Sequence, residues 1–186
     1  MNRIFCVTLV TILLSALFLL RIQNAAADGF NFDAAELSDK KIWTQVNAQP
    51  YHMSTELDGL CRIPMAQDYK YEAERSGNPH IAASIIVYVN NIGKQAMFEK
   101  RPRFPEGSII VKQKLAPYFE HNQPVLYTVM RKREAGYNPA VGDWEFLVVG
   151  GDGKQLQASG RLENCQVCHV GKKDSDFVFR PYMKLE

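Results

Sequence analysis

The sequence predicts a mainly β domain of the α+β class, an antiparallel β-sheet with a few short helices. Three observations indicate this fold. Runs rich in Ile, Val and Tyr recur along the second half of the chain, the helical stretches are short, and a glycine-rich run separates two strand-like runs as in a hairpin. The chain has 186 residues, which is enough for one domain with a substantial core.

Four segments are predicted to be β-strands, residues 81–89, 107–115, 125–133 and 143–149, and residues 156–158 could return as a partner strand. The run Gly150-Gly151-Asp152-Gly153 predicts a hairpin turn before the last of them, since glycine readily adopts the positive backbone angles that such turns need. We therefore expect four or five antiparallel strands. Short helices are predicted over residues 34–47, 93–100 and 162–169, the last ending by Gly171.

The first 27 residues have the order of a secretory signal peptide. Arg3 precedes an apolar run over residues 4–20, and Ala25-Ala26-Ala27 forms a small-residue cleavage site before Asp28. The alternative is an uncleaved membrane anchor, because the apolar run is close to spanning length. We expect cleavage, a single mature domain over residues 28–186, and an exported or periplasmic location.

Charge and cysteine content narrow the classes of function. Loss of the leader removes Arg3 and Arg21, which reduces the 22 basic residues by two and makes them equal to the 20 acidic ones. A near-neutral chain is not expected to bind nucleic acid. Cys6 would leave with the leader, and Cys61 is then the odd cysteine. It could pair between subunits, but a small buried side chain is the simpler interpretation.

The motif Cys165-Gln166-Val167-Cys168-His169 predicts one covalently attached haem c. Two thiols three positions apart can form thioether bonds with the two vinyl groups of one haem, and the following histidine can ligate the iron. A zinc site would need a second pair of ligands nearby, and a thioredoxin-like CxxC would need a βαβ setting. The sequence pattern offers neither.

The second axial position decides between electron transfer and chemistry on a bound molecule. An electron carrier fills it with Met or His, whereas a catalyst or gas binder leaves it open. The candidates are His52, His80, His121, Met53, Met65, Met97, Met130 and Met183. Spacing selects none of them, and Met183 is the one that merits a test because it follows the haem motif closely.

Three motifs in this order resemble the cytochrome P-460 family: the run from Phe104-Pro105-Glu106-Gly107 through Ser108-Ile109-Ile110-Val111-Lys112, then Gly142-Asp143-Trp144-Glu145-Phe146, and the late haem motif. The resemblance implies a β-sheet fold, a homodimer, and a five-coordinate haem c with an open distal face. Cytochromes P-460 proper oxidise hydroxylamine and carry a lysine bonded to the haem edge. The related cytochromes c prime beta lack that bond and bind nitric oxide or carbon monoxide.

The resemblance also implies roles for single residues. Cys165 and Cys168 would be the attachment residues and His169 the proximal iron ligand. Lys112 is the first choice for the lysine cross-link. Lys114 is the second, because Ile110, Lys112 and Lys114 share one face of an alternating strand. A lysine at a strand edge is otherwise an ordinary solvated residue.

Hydroxylamine oxidation needs a proton acceptor near the distal face, and a carboxylate suits that role. Glu134 and Glu145 are the candidates. In a strand, Glu145 points away from Trp144 and Phe146, which favours Glu134. The aromatic residues Phe98, Phe104 and Phe119 could instead cap the iron, although each is more readily explained as core packing.

The sequence thus predicts a haem oxidoreductase that acts on hydroxylamine or nitric oxide and passes electrons to a soluble acceptor such as another cytochrome. A non-catalytic cytochrome that binds nitric oxide or carbon monoxide is the first alternative. A six-coordinate electron-transfer cytochrome c is the second. Since a fold does not fix a function, the same domain without nitrogen chemistry also stays open.

Overall fold

The structure is a computed structural model that describes residue 30 and residues 32–52, 84–115 and 123–183. Backbone contacts divide the chain into two units, Met1–Phe32 and Asp33–Glu186, and the sheet belongs to the second. The predicted signal peptide and the mature start at Asp28 lie outside the described residues. Within the described residues, no helix is both long and apolar enough to span a membrane.

One antiparallel sheet of seven strands forms the centre of the described fold. Its lateral order is β1-β3-β4-β5-β6-β7, and β2 pairs with β3 on the same edge as β1. The expectation of a mainly β fold is therefore confirmed. The strands are β1 Trp43–Gln45, β2 Tyr51–His52, β3 Ser84–Asn90, β4 Ile109–Leu115, β5 Pro124–Lys132, β6 Trp144–Gly150 and β7 Leu156–Gly160.

The helix predicted over residues 34–47 is wrong. Only Ala34–Ser38 is helical, as a short 3-10 turn that begins where the Asp33 carboxylate accepts a hydrogen bond from the backbone N–H of Ala35 (2.9 Å). β1 replaces the second half of the predicted helix, because its backbone pairs with β3. With β2, which has only two residues, it raises the strand number above the expected four or five. Strands this short show no alternation from which sequence could predict them.

The side chain of Asn47 fills the space between β1 and β2 on the edge of β3. Its Oδ1 accepts a hydrogen bond from the backbone N–H of Val87 (2.7 Å), and its Nδ2 donates to the carbonyl of Ile85 (2.9 Å). A side chain here takes the place of a strand residue, so the edge of β3 is satisfied where β1 ends. The hydrogen bonding along this edge is relevant to the site because β3 forms one margin of the crevice described below.

Two α-helices flank the sheet, and both fall close to their predicted positions. Helix α1 (Asn91–Phe98) follows β3 without a loop, and α2 (Glu163–His169) contains the haem motif and continues into a 3-10 turn, Val170–Ser175. The predicted hairpin is confirmed: β6 and β7 pair antiparallel through the glycine-rich turn, where Gly153 has a positive φ of 71°.

Cross-strand register aligns Lys112 in one row with two valines and a threonine on one face of the sheet. Val87, Lys112, Thr128 and Val148 are consecutive partners across β3 to β6. The next row on this face, which includes Ile110 and Phe146, belongs to the main core, whose largest member, Trp144, is fully buried. The core cluster is Ile85, Val87, Val89, Ala96, Met97, Phe104, Ile110, Met130, Val141, Trp144, Phe146, Phe177 and Val178.

Asn90 joins β3, α1 and β4 through one buried side chain that is 7% exposed. Its Oδ1 caps α1 by accepting from Gly93 N–H (3.1 Å) and also accepts from Ile109 N–H (3.0 Å), while its Nδ2 donates to the carbonyl of Gly107 (2.9 Å). Three backbone groups, one each in α1, in β4 and in the loop before β4, thus depend on a single amide.

We predict that Asn90→Ala lowers the free energy of unfolding by roughly 2–4 kcal/mol, because it removes a helix cap and leaves a buried N–H without an acceptor. Urea denaturation followed by circular dichroism measures this. The matched control is Gln95→Ala on the exposed side of α1, which should change the value by less than about 0.5 kcal/mol. Equal, small effects of both substitutions would contradict the role given to Asn90.

Candidate functional site

An open crevice lies between the core-facing side of the sheet and the segment that follows β7. The sheet contributes mainly apolar side chains, and the later segment contributes the haem motif. The lining includes Ile85, Val87, Ile110, Lys112, Thr128, Met130 and Phe146 on one side, and Asn164, Cys165, Cys168, His169, Val178, Phe179 and Tyr182 on the other.

Helix α2 brings the two cysteines and the histidine of the motif to one side. Positions i, i+3 and i+4 share a face of an α-helix, so Cys165, Cys168 and His169 point together. All three line the crevice and are half-buried. Val167, which lies between the cysteines on another face, is 66% exposed. The spacing noted in the sequence therefore becomes one cluster of two thiols and an imidazole.

The ring of His169 is fixed by a hydrogen bond and by two aromatic neighbours. Its Nδ1 lies 2.6 Å from the backbone carbonyl of Phe177, and because a carbonyl only accepts, Nδ1 is the protonated nitrogen. The rings of Phe146 and Phe179 lie 5.2 and 5.1 Å from the imidazole, the second edge-to-face. This arrangement leaves Nε2 as the nitrogen that can ligate a metal.

Burial lowers the pKa of His169 to about 4; the Phe177 hydrogen bond opposes the shift, and the positive charge of Lys112 adds to it. The imidazole is therefore neutral at physiological pH, as an iron ligand must be. Tyr182, at the same crevice, has a pKa raised by burial. Its hydroxyl is therefore protonated across the physiological range.

Lys112 stands on the sheet side of the crevice, and its charge acts on His169 across the space. Val87 and Thr128 are its partners on the neighbouring strands. Lys114 lies on the same face but is 6% exposed and is not among the lining residues. Of the two lysines considered from sequence, the crevice thus includes Lys112.

The turn behind His169 has an unusual backbone. Asp176 and Phe177 both have positive φ angles, 54° and 63°, and neither is glycine. Such conformations cost about 1–3 kcal/mol each and persist only where the surroundings hold them. Gly142 packs directly on this turn: a Cβ at that position would lie 2.7 Å from Phe177 Cδ2 and 2.8 Å from Asp176 Oδ1. Only glycine leaves the room that this packing needs.

Both carboxylate candidates lie away from the crevice lining. Glu134 is exposed and pairs with Arg133 Nε (3.1 Å) in the turn after β5. Glu145 points opposite to Trp144, as expected, but its side chain is only 13% exposed because Arg131 and Arg133 surround it. The carboxylate of Glu145 thus forms two salt bridges on the face of the sheet that points away from the crevice.

Some of the candidate axial ligands and capping aromatic residues lie near the crevice, and others do not. Met130 lines the crevice, whereas Met183 packs against the core beside it and Met97 is fully buried. Phe98 is exposed on α1, and Phe104 packs against Trp144 with ring centres 5.5 Å apart. His52 has only its backbone described. The remaining candidates lie outside the described residues: His80, His121, Met53, Met65 and Phe119, as does Cys61.

Sequence reasoning missed Phe146, Phe179 and the turn at Asp176 as parts of the site. Phe146 is inside a motif already noted, and strand alternation with Trp144 placed it on the core face. Phe179 follows the haem motif but has no pattern that distinguishes it from an ordinary core residue. The role of Asp176 depends on partners far away along the chain, so local patterns cannot reveal it.

The side chains of the crevice fit a haem. Two thiols and a neutral imidazole occupy one wall, the rest of the wall is largely apolar, and the imidazole is held by an outer hydrogen bond. Across the described ranges there is no group of three or more His, Cys, Asp or Glu side chains arranged to hold a metal ion.

Comparison with known proteins gives one clear result. The model of the family described as Cytochrome P460 matches residues 66–180, more than half of the chain. A comparison with curated proteins gave no match. The matched range contains all three motifs and the crevice-facing strands β3 to β6, and it confirms the resemblance seen in the sequence. The family is one of haem proteins, in agreement with the crevice. The chain belongs to the cytochrome P-460 family.

Proposed function

We propose that this chain is an exported mono-haem c-type cytochrome that oxidises hydroxylamine or binds nitric oxide at an open distal face. Cys165 and Cys168 attach the haem by thioether bonds, and His169 is the proximal ligand. The observation that carries the proposal is the cluster of these three side chains on α2, facing a crevice whose other wall is apolar and contains Lys112.

The chain's own residues prepare the proximal side. The Phe177 carbonyl selects the tautomer with the proton on Nδ1 and orients the ring, so that Nε2 is the ligating atom. Phe146 and Phe179 restrict rotation of the imidazole from two sides. When bound, the haem supplies an iron with an open position where a small nitrogen compound can bind and give up electrons.

Lys112 is the proposed lysine cross-link to the haem edge. Its support is its place in the crevice lining, close enough to His169 for its charge to act there. Lys114 is less suitable because its side chain is buried outside that lining.

Glu134 is the proposed proton acceptor. Its described contacts are with Arg133, and the crevice lining does not include it. Electrons would pass to a soluble acceptor such as another cytochrome, and the protein would act as a homodimer after removal of residues 1–27.

A second candidate function is binding of nitric oxide without turnover. The wall that the sheet contributes to the crevice is mostly made of Ile, Val, Leu, Met and Phe side chains, which suits an uncharged diatomic molecule better than a reaction that releases protons. A six-coordinate electron carrier through Met183 has less support, because Met183 packs beside the crevice and is not part of its lining.

Haem attachment is tested with Cys165→Ala, Cys168→Ala and the double variant, all made in the Lys112→Ala background so that no lysine bond can hold the haem, and expressed in the periplasm with haem maturation; Lys112→Ala alone is the reference. We expect the reference to keep the mass of one haem after denaturation and extraction in acidified acetone. Each single variant should keep one thioether and show a red-shifted pyridine haemochrome band, and the double variant should release the haem. Mass spectrometry and absorption spectroscopy measure both effects.

Cys61→Ala in the same background is the matched control for this experiment, since it removes a thiol that the proposal does not use. It should retain the haem like the reference. Extraction of intact haem from the reference, or retention by the double variant, would contradict covalent attachment at these positions.

The lysine cross-link is tested by the absorption spectrum of the ferrous protein. We expect a strongly red-shifted main band in the wild-type protein, an ordinary haem c spectrum in Lys112→Ala, and the wild-type band in Lys114→Met. Hydroxylamine oxidation, measured with a soluble electron acceptor, should be lost together with the band in Lys112→Ala.

Other spectra would select another function. An ordinary high-spin spectrum in all three proteins removes the cross-link and favours nitric oxide binding, which titration with nitric oxide then measures directly. Loss of the band in Lys114→Met alone would transfer the cross-link to Lys114. A sharp low-spin spectrum would indicate a sixth ligand, and Met183→Ala should then change it if the electron-carrier function is correct.

A further inference from the structure

Asp176 is a buried carboxylate that the crevice does not use. It is 5% exposed and is not among the lining residues. Its Oδ2 accepts hydrogen bonds from Lys132 Nζ (2.6 Å) and from the backbone N–H of Phe104 (2.8 Å). Its own carbonyl accepts from Trp144 Nε1 (2.7 Å). Asp176 is therefore hydrogen-bonded to β5, to β6 and to the loop before β4.

These partners come from the two motifs that precede the haem motif and from the strand between them. Phe104 begins the first motif, Trp144 belongs to the second, and Lys132 ends β5. Lys132 also lies over the Trp144 ring, with Nζ 5.1 Å from its centroid. The side chains of Lys132 and Asp176 are 12% and 6% exposed, so this ion pair is shielded from water.

The bonds to Asp176 fix a backbone that would otherwise relax. Asp176 and Phe177 have consecutive positive φ angles, and the carbonyl of Phe177, next in the chain, accepts the hydrogen bond from His169. A turn released from Lys132 and Trp144 would return to negative φ angles and redirect that carbonyl. The direction of the His169 ring thus depends on contacts that Asp176 makes elsewhere.

We propose that Asp176 is a positioning residue for the proximal histidine: its ion pair with Lys132 and its bonds to Phe104 and Trp144 hold the turn whose Phe177 carbonyl orients His169. This inference rests on the proposed function, in which His169 ligates the haem iron. A firm hydrogen bond at Nδ1 makes the imidazole a more basic ligand, so the network strengthens the bond between iron and His169 and favours the oxidised haem.

The test uses the ferrous holoprotein, with resonance Raman measurement of the iron–histidine stretching frequency and a redox titration. Asp176→Asn preserves the shape of the side chain but loses the ion pair, and Lys132→Met loses it from the other side. We expect both variants to lower the stretching frequency and to shift the reduction potential to more positive values.

Charge alone predicts a different pattern. Removing the negative charge of Asp176 and removing the positive charge of Lys132 would shift the potential in opposite directions. A common direction in both variants is therefore evidence for positioning. Asp174→Asn is the matched control, since it removes an exposed carboxylate two residues earlier in the chain. It should leave the stretching frequency unchanged.

If the charge variants do not fold, a steric variant provides a second test of the turn. Gly142→Ala places a Cβ against Phe177 Cδ2 and Asp176 Oδ1 without any change of charge. It should lower the stretching frequency in the same way. Gly136→Ala is its control, because Gly136 also has a positive φ (93°) but a Cβ there would meet no atom within 4 Å.

Failure of the positioning role of Asp176 can be distinguished from failure of the proximal role of His169. If the wild-type protein has an iron–histidine band and Asp176→Asn, Lys132→Met and Gly142→Ala leave its frequency unchanged, the positioning role is overturned and the proposed function stands. If the wild-type holoprotein has no such band, or if the band survives in His169→Ala, the proximal role of His169 fails and the inference fails with it.

Discussion

The hydrogen bond between His169 Nδ1 and the carbonyl of Phe177 joins the helix that contains the haem motif to a turn bonded to the sheet. Helix α2 has only seven residues, a length at which a helix has little stability of its own in water. The 3-10 turn that follows it and the bonded turn at Asp176 supply the missing support. The position of the two thiols and the imidazole relative to the sheet therefore depends on this connection, and the shape of the crevice depends on it in turn.

Much of the sheet could be predicted because its information is local. The strands β3 to β6 are runs rich in β-branched or aromatic residues, β7 follows a glycine-rich turn, and each strand pairs with its neighbour in sequence. β1 and β2 could not be predicted, since two or three residues show no period. The Asn47 side chain that continues their edge is a tertiary feature with no sequence signal.

The residues of the site also fall into those that the sequence could predict and those that it could not. Cys165, Cys168 and His169 could be identified because their spacing is itself the chemical requirement, and a helix turns that spacing into one face. The alternation of β4 correctly grouped Lys112 with Lys114, but alternation does not say how far along a face the crevice extends. Asp176 bonds to Phe104, Lys132 and Trp144, which are 72, 44 and 32 residues away, so its role requires the folded chain.

The two walls of the crevice come from different parts of the chain, so they can fold one after the other. Its first wall consists of strands β3 to β6, whereas its second wall is formed by residues 164–182, later in the chain than every strand. A chain that folds as it emerges can therefore assemble the sheet while the second wall is still absent. The two thiols then reach an apolar surface that is already formed but still uncovered. Docking of the last segment then covers that surface and completes the crevice.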